Sequence, residues 1–168
     1  MSDALHEPHP PTDCLHAAHP NPYERHLVSS DDAHEILVMT WRAGGLCAPH
    51  DHGEAGGRVH LVSGTLMERR YRFDGVALVV ESEAQVEAPA LLEIGPGVIH
   101  DMRASPGTVT VHVYRPRVLG MRIYDVGARE TLIVGDDCGA WIPSDPGDIQ
   151  ARIGWAQGAE SAAEAGAS

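Results

Sequence analysis

The chain has 168 residues, of which 43% are hydrophobic, so it can bury one sizeable core but is too short for two comfortable domains. Its formal net charge of −12 disfavours nucleic acid as a partner, because nucleic-acid binding depends on Lys and Arg neutralising phosphates. No apolar run approaches the ~20 residues that cross a bilayer, and no basic-then-apolar signal pattern is present, so we expect a soluble, cytoplasmic protein without a membrane partner.

The cysteines and the short motifs exclude further classes. Cys14, Cys47 and Cys138 are odd in number and form no CxxC pair, so they make neither a disulfide framework nor a cysteine-rich zinc site. The sequence contains no GxGxxG, GxxxxGK[ST] or GxSxG, which removes the usual nucleotide-binding and serine-hydrolase interpretations.

The predicted elements begin with an irregular arm over residues 1–20, which prolines interrupt repeatedly. Its histidines, His6, His9, His16 and His19, lack a rigid scaffold and are predicted to be solvated. The folded body, 21–150, consists of short runs rich in β-branched and aromatic residues between Gly, Pro and Asp breakers. These predicted strands are 36–41, 59–62, 66–73, 76–81, 91–94, 108–114, 121–124 and 131–134.

The spacing of these strands predicts the fold class. Asp74-Gly75 between two of them is a strong signal for a tight hairpin. Many short strands at roughly 8–12 residue intervals predict an all-β sandwich or barrel. Residues 151–168, rich in Ala, Gly, Ser and Glu, are predicted to form a C-terminal tail.

A candidate metal site lies in the Gly-rich segment 44–64. His50 and His52 are two residues apart, so on an extended strand both imidazoles point to one face. Two neutral ring nitrogens on one face can chelate a divalent metal, and a third ligand must come from elsewhere. His100 follows a Gly-Pro-Gly turn and opens a further strand, which makes it the candidate.

A second polar face is predicted on the strand 108–114, which alternates without a fault. Its apolar face carries Val109, Val111 and Val113, and its other face carries Thr110, His112 and Tyr114. A hydroxyl, an imidazole and a phenol in a row can pass a hydrogen bond from one to the next. Such a chain suits an interior site beside a metal better than a face in water.

The glycines and histidines of the metal segment resemble the first cupin motif: Gly, five residues, HxH, an acidic ligand and a later Gly. The matching residues are Gly44, His50, His52 and Gly64. The acidic ligand's place falls on Gly56 or Gly57, so the site has three His and no carboxylate. The second motif, a Pro/Gly turn before His, matches residues 97–100. The resemblance implies a single cupin (jelly-roll) β-barrel between the arm and the tail.

The polar strand is similar to that of the cysteine dioxygenase family of thiol dioxygenases, and the similarity covers about residues 20–143. Members carry Ser-x-His-x-Tyr beside a three-His iron, and here Thr replaces Ser. The resemblance implies Fe(II) as the cofactor, with a small thiol and O2 as substrates. The implied ligands are His50, His52 and His100, and the implied catalytic residues are Tyr114, His112 and Thr110.

The same resemblance implies a substrate. Arg25 falls where cysteine-specific members place the Arg that binds the substrate carboxylate, with Tyr23 beside it, and Trp41 matches a pocket Trp. These implied substrate-binding residues favour L-cysteine, whose product is the sulfinic acid. The 3-mercaptopropionate branch uses an Arg beyond the Tyr strand instead, and that option stays open through Arg115, Arg117 and Arg122.

One departure from the family concerns Gly57. Mammalian-type members have a Cys at this position that crosslinks to the active-site Tyr, so no Cys–Tyr crosslink is expected here. Cys47 precedes the metal motif and is not expected to substitute for it.

Three His ligands do not by themselves identify the metal. Zinc hydrolytic sites also use three His, and non-haem iron sites more often use two His and a carboxylate. Glu54 and His60 remain candidate extra ligands, although His60 is more typical of a packed strand residue. A different metal-dependent cupin enzyme and a non-catalytic ligand-binding cupin remain alternatives. We expect a monomer or a small homo-oligomer.

Overall fold

The structure, a computed structural model, describes residues 21–157, which form two antiparallel β-sheets. The strands are β1 (Tyr23–Ser30), β2 (Glu35–Trp41), β3 (His50–Asp51), β4 (Gly56–Ser63), β5 (Thr65–Phe73), β6 (Leu78–Glu87), β7 (Ala90–Ile94), β8 (Ile99–Ala104), β9 (Val109–Arg115), β10 (Arg122–Asp125), β11 (Glu130–Val134) and β12 (Ile149–Gly154). A single 3-10 turn, Pro146–Asp148, precedes β12. Within residues 21–157 no helix is long and apolar enough to span a membrane.

The core lies between the two sheets. The first sheet has the order β1-β2-β9-β4-β7 and the second the order β12-β11-β10-β3-β8-β5-β6. Side chains alternate along each strand, so each strand has one face toward the core. The inward face of β2 buries Leu37 and Met39, and the inward face of β5 buries Leu66. Two such faces packed together form a double-sheet jelly roll. This architecture confirms the predicted all-β class.

Each predicted strand is present, and the differences lie at strand ends and in polar strands. The strand predicted over 76–81 begins at Leu78 and continues to Glu87 at the edge of its sheet. The polar β1 (YERHLVSS) and the two-residue β3 were not among the predicted runs, because neither contains a run of β-branched or aromatic residues. Cross-strand pairing rather than local composition makes these segments strands.

The C-terminal boundary predicted at residue 150 is wrong. β12 runs from Ile149 to Gly154 and pairs with β11 along its length. Trp155 follows it and donates its indole N–H to Thr131 Oγ1 at 2.9 Å, which ties the strand's end to the sheet. The β body therefore continues through residue 154. The predicted arm, with its histidines, and residues 158–168 of the predicted tail lie outside the described residues.

The predicted hairpin at Asp74-Gly75 joins β5 to β6. The Asp74 side chain accepts the backbone N–H groups of Val76 and Ala77, both at 2.9 Å, and so replaces the hydrogen bonds that the turn interrupts. Gly75 has φ of 90°, a conformation that residues with a Cβ rarely adopt. The local sequence alone therefore specifies this turn.

Replacing Gly75 by Ala should lower the free energy of unfolding by about 1–2 kcal/mol, because a Cβ is strained at positive φ. Gly154→Ala is the matched control, since an added Cβ meets nothing within 4 Å at either position and Gly154 does not have a positive φ. Urea unfolding of the two variants measures the difference. Equal stabilities would show that the turn does not impose this conformation.

Candidate metal centre

Three buried histidines converge between the sheets. β3 pairs with β8 so that His50 lies directly opposite His100, and His52 follows at the end of β3. The ring centroids are 4.9 Å apart for His50–His52, 4.6 Å for His50–His100 and 5.3 Å for His52–His100. One nitrogen from each ring lies within 4.8 Å of the others. Within residues 21–157 this is the one group of three or more metal-binding side chains this close together.

The hydrogen bonds of two rings fix which nitrogen faces the centre. His50 Nδ1 lies 2.9 Å from the carbonyl oxygen of Ala48, and His100 Nδ1 lies 3.0 Å from Glu68 Oε1. Both partners accept, so each Nδ1 carries the proton and each Nε2 keeps its lone pair. His100 Nε2 and His52 Nδ1 are buried without a hydrogen-bond partner among the described residues. Buried lone pairs of this kind fit a bound cation.

The three rings are neutral, which is the form that binds a metal. Burial lowers the pKa of His50. Burial and the neighbouring His50 lower the pKa of His52 and of His100 well below the usual value. These residues therefore offer three neutral nitrogen donors from two strands, a set suited to Fe(II), Zn(II) and other borderline divalent metals.

A buried carboxylate holds β3 from the side opposite the metal centre. Asp51, the residue after His50, is 1% exposed and accepts the Tyr124 hydroxyl at 2.8 Å and the backbone N–H of Gly53 at 2.8 Å. These contacts fix the short segment between the two ligands of the HxH pair. The position of His52 therefore depends on β10, which carries Tyr124.

β8 has the same arrangement. Asp101, the residue after His100, is 2% exposed and accepts two N–H groups of Arg69, at 3.0 and 2.6 Å, and the Tyr71 hydroxyl at 2.5 Å. Arg69 and Tyr71 both lie on β5, so this cluster joins β8 to its neighbour. Each ligand strand thus turns an imidazole inward and a carboxylate outward.

Neither of the extra candidate ligands reaches the centre. Glu54 and His60 are exposed, and neither belongs to the group of converging donors. His60 lies on the outer face of β4 and is not the packed residue that the sequence suggested. The position predicted for an acidic ligand is occupied by Gly56 and Gly57, so the described part of the centre has three His donors.

A chain of hydrogen bonds runs along the inward face of β9. His112 Nδ1 lies 2.9 Å from the Tyr114 hydroxyl, and His112 Nε2 lies 2.9 Å from Thr110 Oγ1. Trp41 Nε1 donates to the same Thr110 oxygen at 3.0 Å and so extends the chain to β2. The Tyr114 ring lies 4.5 Å from that of His52, between centroids, so one end of the chain adjoins the metal centre.

Burial keeps this chain uncharged. It lowers the pKa of His112 to about 3, with a further contribution from His50. It raises the pKa of Tyr114 well above its ordinary value, with Tyr23 the next cause. His112 is therefore a neutral imidazole and Tyr114 a protonated phenol.

The centre opens into a cavity of about 30 Å³. Sulfur and aromatic side chains form its walls together with the histidines and Tyr114: Tyr23, Met39, Trp41, Cys47 and Met102. Cys47 Sγ accepts the backbone N–H of Met102 at 3.0 Å, and burial raises its pKa to about 12, so it remains a thiol. The Tyr23 hydroxyl accepts the Ala140 N–H at 2.8 Å. Tyr23 and Trp41, both predicted to bind substrate, therefore line the cavity.

Arg25 lies beside this cavity and already has a partner. It faces inward on β1, and its guanidinium donates to Glu35 Oε1 at 2.7 Å, with side chains 16% and 8% exposed respectively. Glu35 stands directly opposite Tyr114 in the pairing of β2 with β9. A cation and an anion therefore adjoin the phenol rather than the single cation predicted.

Gly57 lies beneath the Tyr114 ring. The two residues are opposite each other in the pairing of β4 with β9. A Cβ built at Gly57 would lie 2.6 Å from two carbons of that ring, closer than side chains ever approach. The phenol occupies this place because position 57 has no side chain.

The sequence interpretation missed the polar residues that contact the site from neighbouring strands. Glu68 and Glu35 are buried. The signal in the sequence is that each lies two residues from an apolar residue of its strand, Leu66 or Leu37, and so shares its inward face. The sulfur residues Met39 and Met102 gave no signal, because a Met in a strand is ordinary core composition.

Comparison with known proteins identifies the fold. No family model and no curated protein matches the sequence. Among solved structures, an uncharacterized conserved protein with a double-stranded β-helix domain from Klebsiella pneumoniae has 16% identity over 65% of this chain and 84% of its own, with a TM-score of 0.53. An oxalate oxidase in complex with glycolate has 17% identity over 62% and 56%, with a TM-score of 0.50. An RmlC-like cupin from Shewanella frigidimarina has 14% identity over 57% and 78%, with a TM-score of 0.47.

These similarities establish the fold alone, because the identities are low. The chain has the cupin jelly-roll fold that the sequence motifs implied. Enzymes occur among its structural neighbours, and the three-His group marks this chain as a candidate metal binder.

His50→Ala, His52→Ala and His100→Ala should each nearly abolish metal binding, because loss of one of three donors removes a large share of the binding free energy. Metal content per chain after reconstitution, measured by mass spectrometry, checks this. His60→Ala, on the outer face of the barrel, is the matched control and should bind metal like the unsubstituted protein. A His100→Ala variant with full metal content would refute this ligand set.

Proposed function

We propose that the protein is a non-haem Fe(II) thiol dioxygenase that converts L-cysteine and O2 to cysteine sulfinic acid. The observation that carries this proposal is that three neutral imidazoles and the Tyr114 end of the Thr110–His112–Tyr114 hydrogen-bond chain line one cavity. The reaction balances without a further reductant, because both atoms of O2 become bonded to the substrate sulfur and the thiol becomes a sulfinic acid.

Fe(II), when bound to the three histidines, would supply the positive charge that stabilises a thiolate and the redox chemistry between sulfur and O2. The chain's own residues position and protect the reactants. Tyr114 keeps its proton and can donate a hydrogen bond into the cavity, while His112, fixed in turn by Thr110, holds the phenol oxygen in place. Aromatic and sulfur walls exclude water, which strengthens hydrogen bonds inside the cavity.

The pair formed by Arg25 and Glu35 supports an amino acid as the substrate. L-Cysteine is a zwitterion, so Arg25 can bind its carboxylate in a charge-assisted pair while Glu35 is available to its ammonium group. The small cavity excludes bulky thiols. Cysteine therefore matches the charges beside Tyr114 better than a thiol that carries a single charge.

The arginines beyond Tyr114 lie elsewhere. Arg115 and Arg122 are exposed, and Arg122 contacts Asp51 at 3.4 Å behind the ligand strand. Arg117 lies 3.8 Å from Asp136. None of the four arginines lines the cavity itself, but Arg25 lies directly opposite the cavity residue Met39 in the pairing of β1 with β2, which favours it as the residue that binds a carboxylate.

One observation favours a second candidate, another small thiol that has no carboxylate, such as cysteamine. Glu35 already neutralises Arg25, so a substrate carboxylate must share the guanidinium or displace Glu35. Desolvating a third charge there is costly, and a different small thiol could bind through the metal and the apolar walls instead.

Tyr114→Phe should lower kcat/KM for thiol oxidation by roughly tenfold or more while leaving the iron content unchanged, because it removes one donor aimed at the reacting groups. O2 uptake and sulfinate formation measure the effect. Tyr71→Phe, whose hydroxyl contacts Asp101 on the outer side, is the matched control and should keep its turnover number. Unchanged kinetics in Tyr114→Phe would mean that the phenol takes no part.

Iron-loaded protein should consume O2 with L-cysteine. Arg25→Ala should lower kcat/KM for L-cysteine by a factor equivalent to about 2–4 kcal/mol of transition-state stabilisation, because a charge-assisted pair is lost. The measurement is O2 uptake against a panel of L-cysteine, 3-mercaptopropionate and cysteamine. Cysteamine, which has no carboxylate, should be a poor substrate and indifferent to the substitution.

The panel also separates the alternatives. An Arg25→Ala variant that keeps its L-cysteine turnover, together with higher activity on 3-mercaptopropionate, would transfer the assignment to 3-mercaptopropionate, and higher activity on cysteamine would transfer it to the second candidate. No O2 uptake with any thiol, in protein that holds iron, would rule out a thiol dioxygenase.

A further inference from the structure

Glu68 is the one acidic residue in contact with a metal-ligand ring among the described residues. It lies on the inward face of β5, two residues after the fully buried Leu66, and is 5% exposed. Burying a carboxylate in such a place is unfavourable unless its oxygens are paired. Oε1 accepts His100 Nδ1–H at 3.0 Å, and Oε2 lies 3.2 Å from Arg70 Nε.

The three ligand rings have unequal support. His50 donates to the neutral carbonyl of Ala48, and His52 has no carboxylate partner among the described residues. His100 alone donates to a carboxylate, which makes its other nitrogen a stronger donor to a metal and fixes the direction of that nitrogen. The unpartnered Nε2 of His100 is therefore the most strongly polarised of the three donor atoms.

We propose that Glu68 is a positioning residue that places a negative charge next to the metal centre through its hydrogen bond to His100. A centre of three neutral imidazoles leaves the full charge of a divalent cation in a buried site, and Gly56 and Gly57 occupy the place of a carboxylate ligand. Glu68 brings a carboxylate to the same centre one ring further out, from β5 instead of β4.

Arg70 pairs with Glu68 and partly offsets its negative charge. Its side chain is 37% exposed and also donates to the Glu93 carbonyl oxygen at 2.8 Å, so solvent screens its charge more than that of the buried Glu68. Arg70 therefore holds the Glu68 carboxylate in position without cancelling its charge at the metal. This inference rests on the metal centre proposed above and is independent of the identity of the thiol.

The test uses Glu68→Gln, which keeps the size of the side chain and a hydrogen-bond acceptor for His100 but removes the charge. Metal-free protein is titrated with Fe(II) under anaerobic conditions in competition with a chelator. We expect a Kd for Fe(II) raised roughly 10–100-fold and a higher Fe(III)/Fe(II) reduction potential. A purely structural Glu68 would leave both quantities unchanged, because Gln preserves the hydrogen bond.

Glu130→Gln is the matched control, since Glu130 is also partly buried and paired with an arginine, Arg152, on the neighbouring strand. It lies two strands from β3 in the sheet order and contacts Arg152 instead of a histidine, so it should not alter Fe(II) binding. An unchanged Kd in Glu68→Gln would overturn the proposal.

A second variant keeps the proposal testable if Glu68→Gln does not fold. Arg70→Gln removes the countercharge and leaves the carboxylate, so its Kd for Fe(II) should be equal to or a few-fold lower than that of the unsubstituted protein. A tenfold or greater weakening in Arg70→Gln would overturn the proposal, because the pair would then act only as a structural unit. Both titrations omit thiol. Their results on Fe(II) binding would therefore still be valid if the protein were shown not to be a thiol dioxygenase.

Discussion

The pairing of His50 with His100 across β3 and β8 determines the geometry of the site. β3 has only two residues, so its position is set by β8 on one side and β10 on the other. This places two imidazoles on facing residues and brings His52 in at the end of the short strand. Three buried rings without charge, two of them with an unpartnered nitrogen, form an arrangement whose polar atoms a cation would satisfy.

Alternation along the ligand strands separates the site from its support. His50 and His100 face inward, while Asp51 and Asp101 face outward and accept hydrogen bonds from tyrosine and arginine side chains. Because each aspartate is next to a ligand in the sequence, a shift of its strand by one residue would exchange imidazole and carboxylate between the two faces. The outer clusters therefore fix the register that the inner site requires.

Polar side chains between the two sheets form hydrogen bonds with one another. The chain from Trp41 through Thr110 and His112 to Tyr114 is neutral, and the walls around it are aromatic and sulfur-containing. Charge enters at two places, through Glu68 behind His100 and through Arg25 with Glu35 beside Tyr114. Charge is costly in this interior, and under the proposed function these two places are where it acts on the metal and on the substrate.

The sequence by itself determined the features that depend on local spacing. Period-two alternation and turn residues predicted the all-β class and the Asp74-Gly75 hairpin. The HxH spacing and the turn before His100 predicted the three-His group, because neighbours on one strand share a face whatever the rest of the fold does. The alternation of Thr110, His112 and Tyr114 predicted their common face for the same reason.

The tertiary structure decided what depends on register between distant strands. Glu68 meets His100, and Glu35 meets Arg25 beside Tyr114, only because β5 pairs with β8 and β2 lies between β1 and β9. No local pattern marks these carboxylates, since a charged residue in a strand is usually solvated. The extension of the sheet through β12 also depends on tertiary structure, because it results from hydrogen bonds to β11 and the composition of β12 does not predict a strand. Spacing along the chain therefore determined the three-His group, and pairing between strands determined the charges around it.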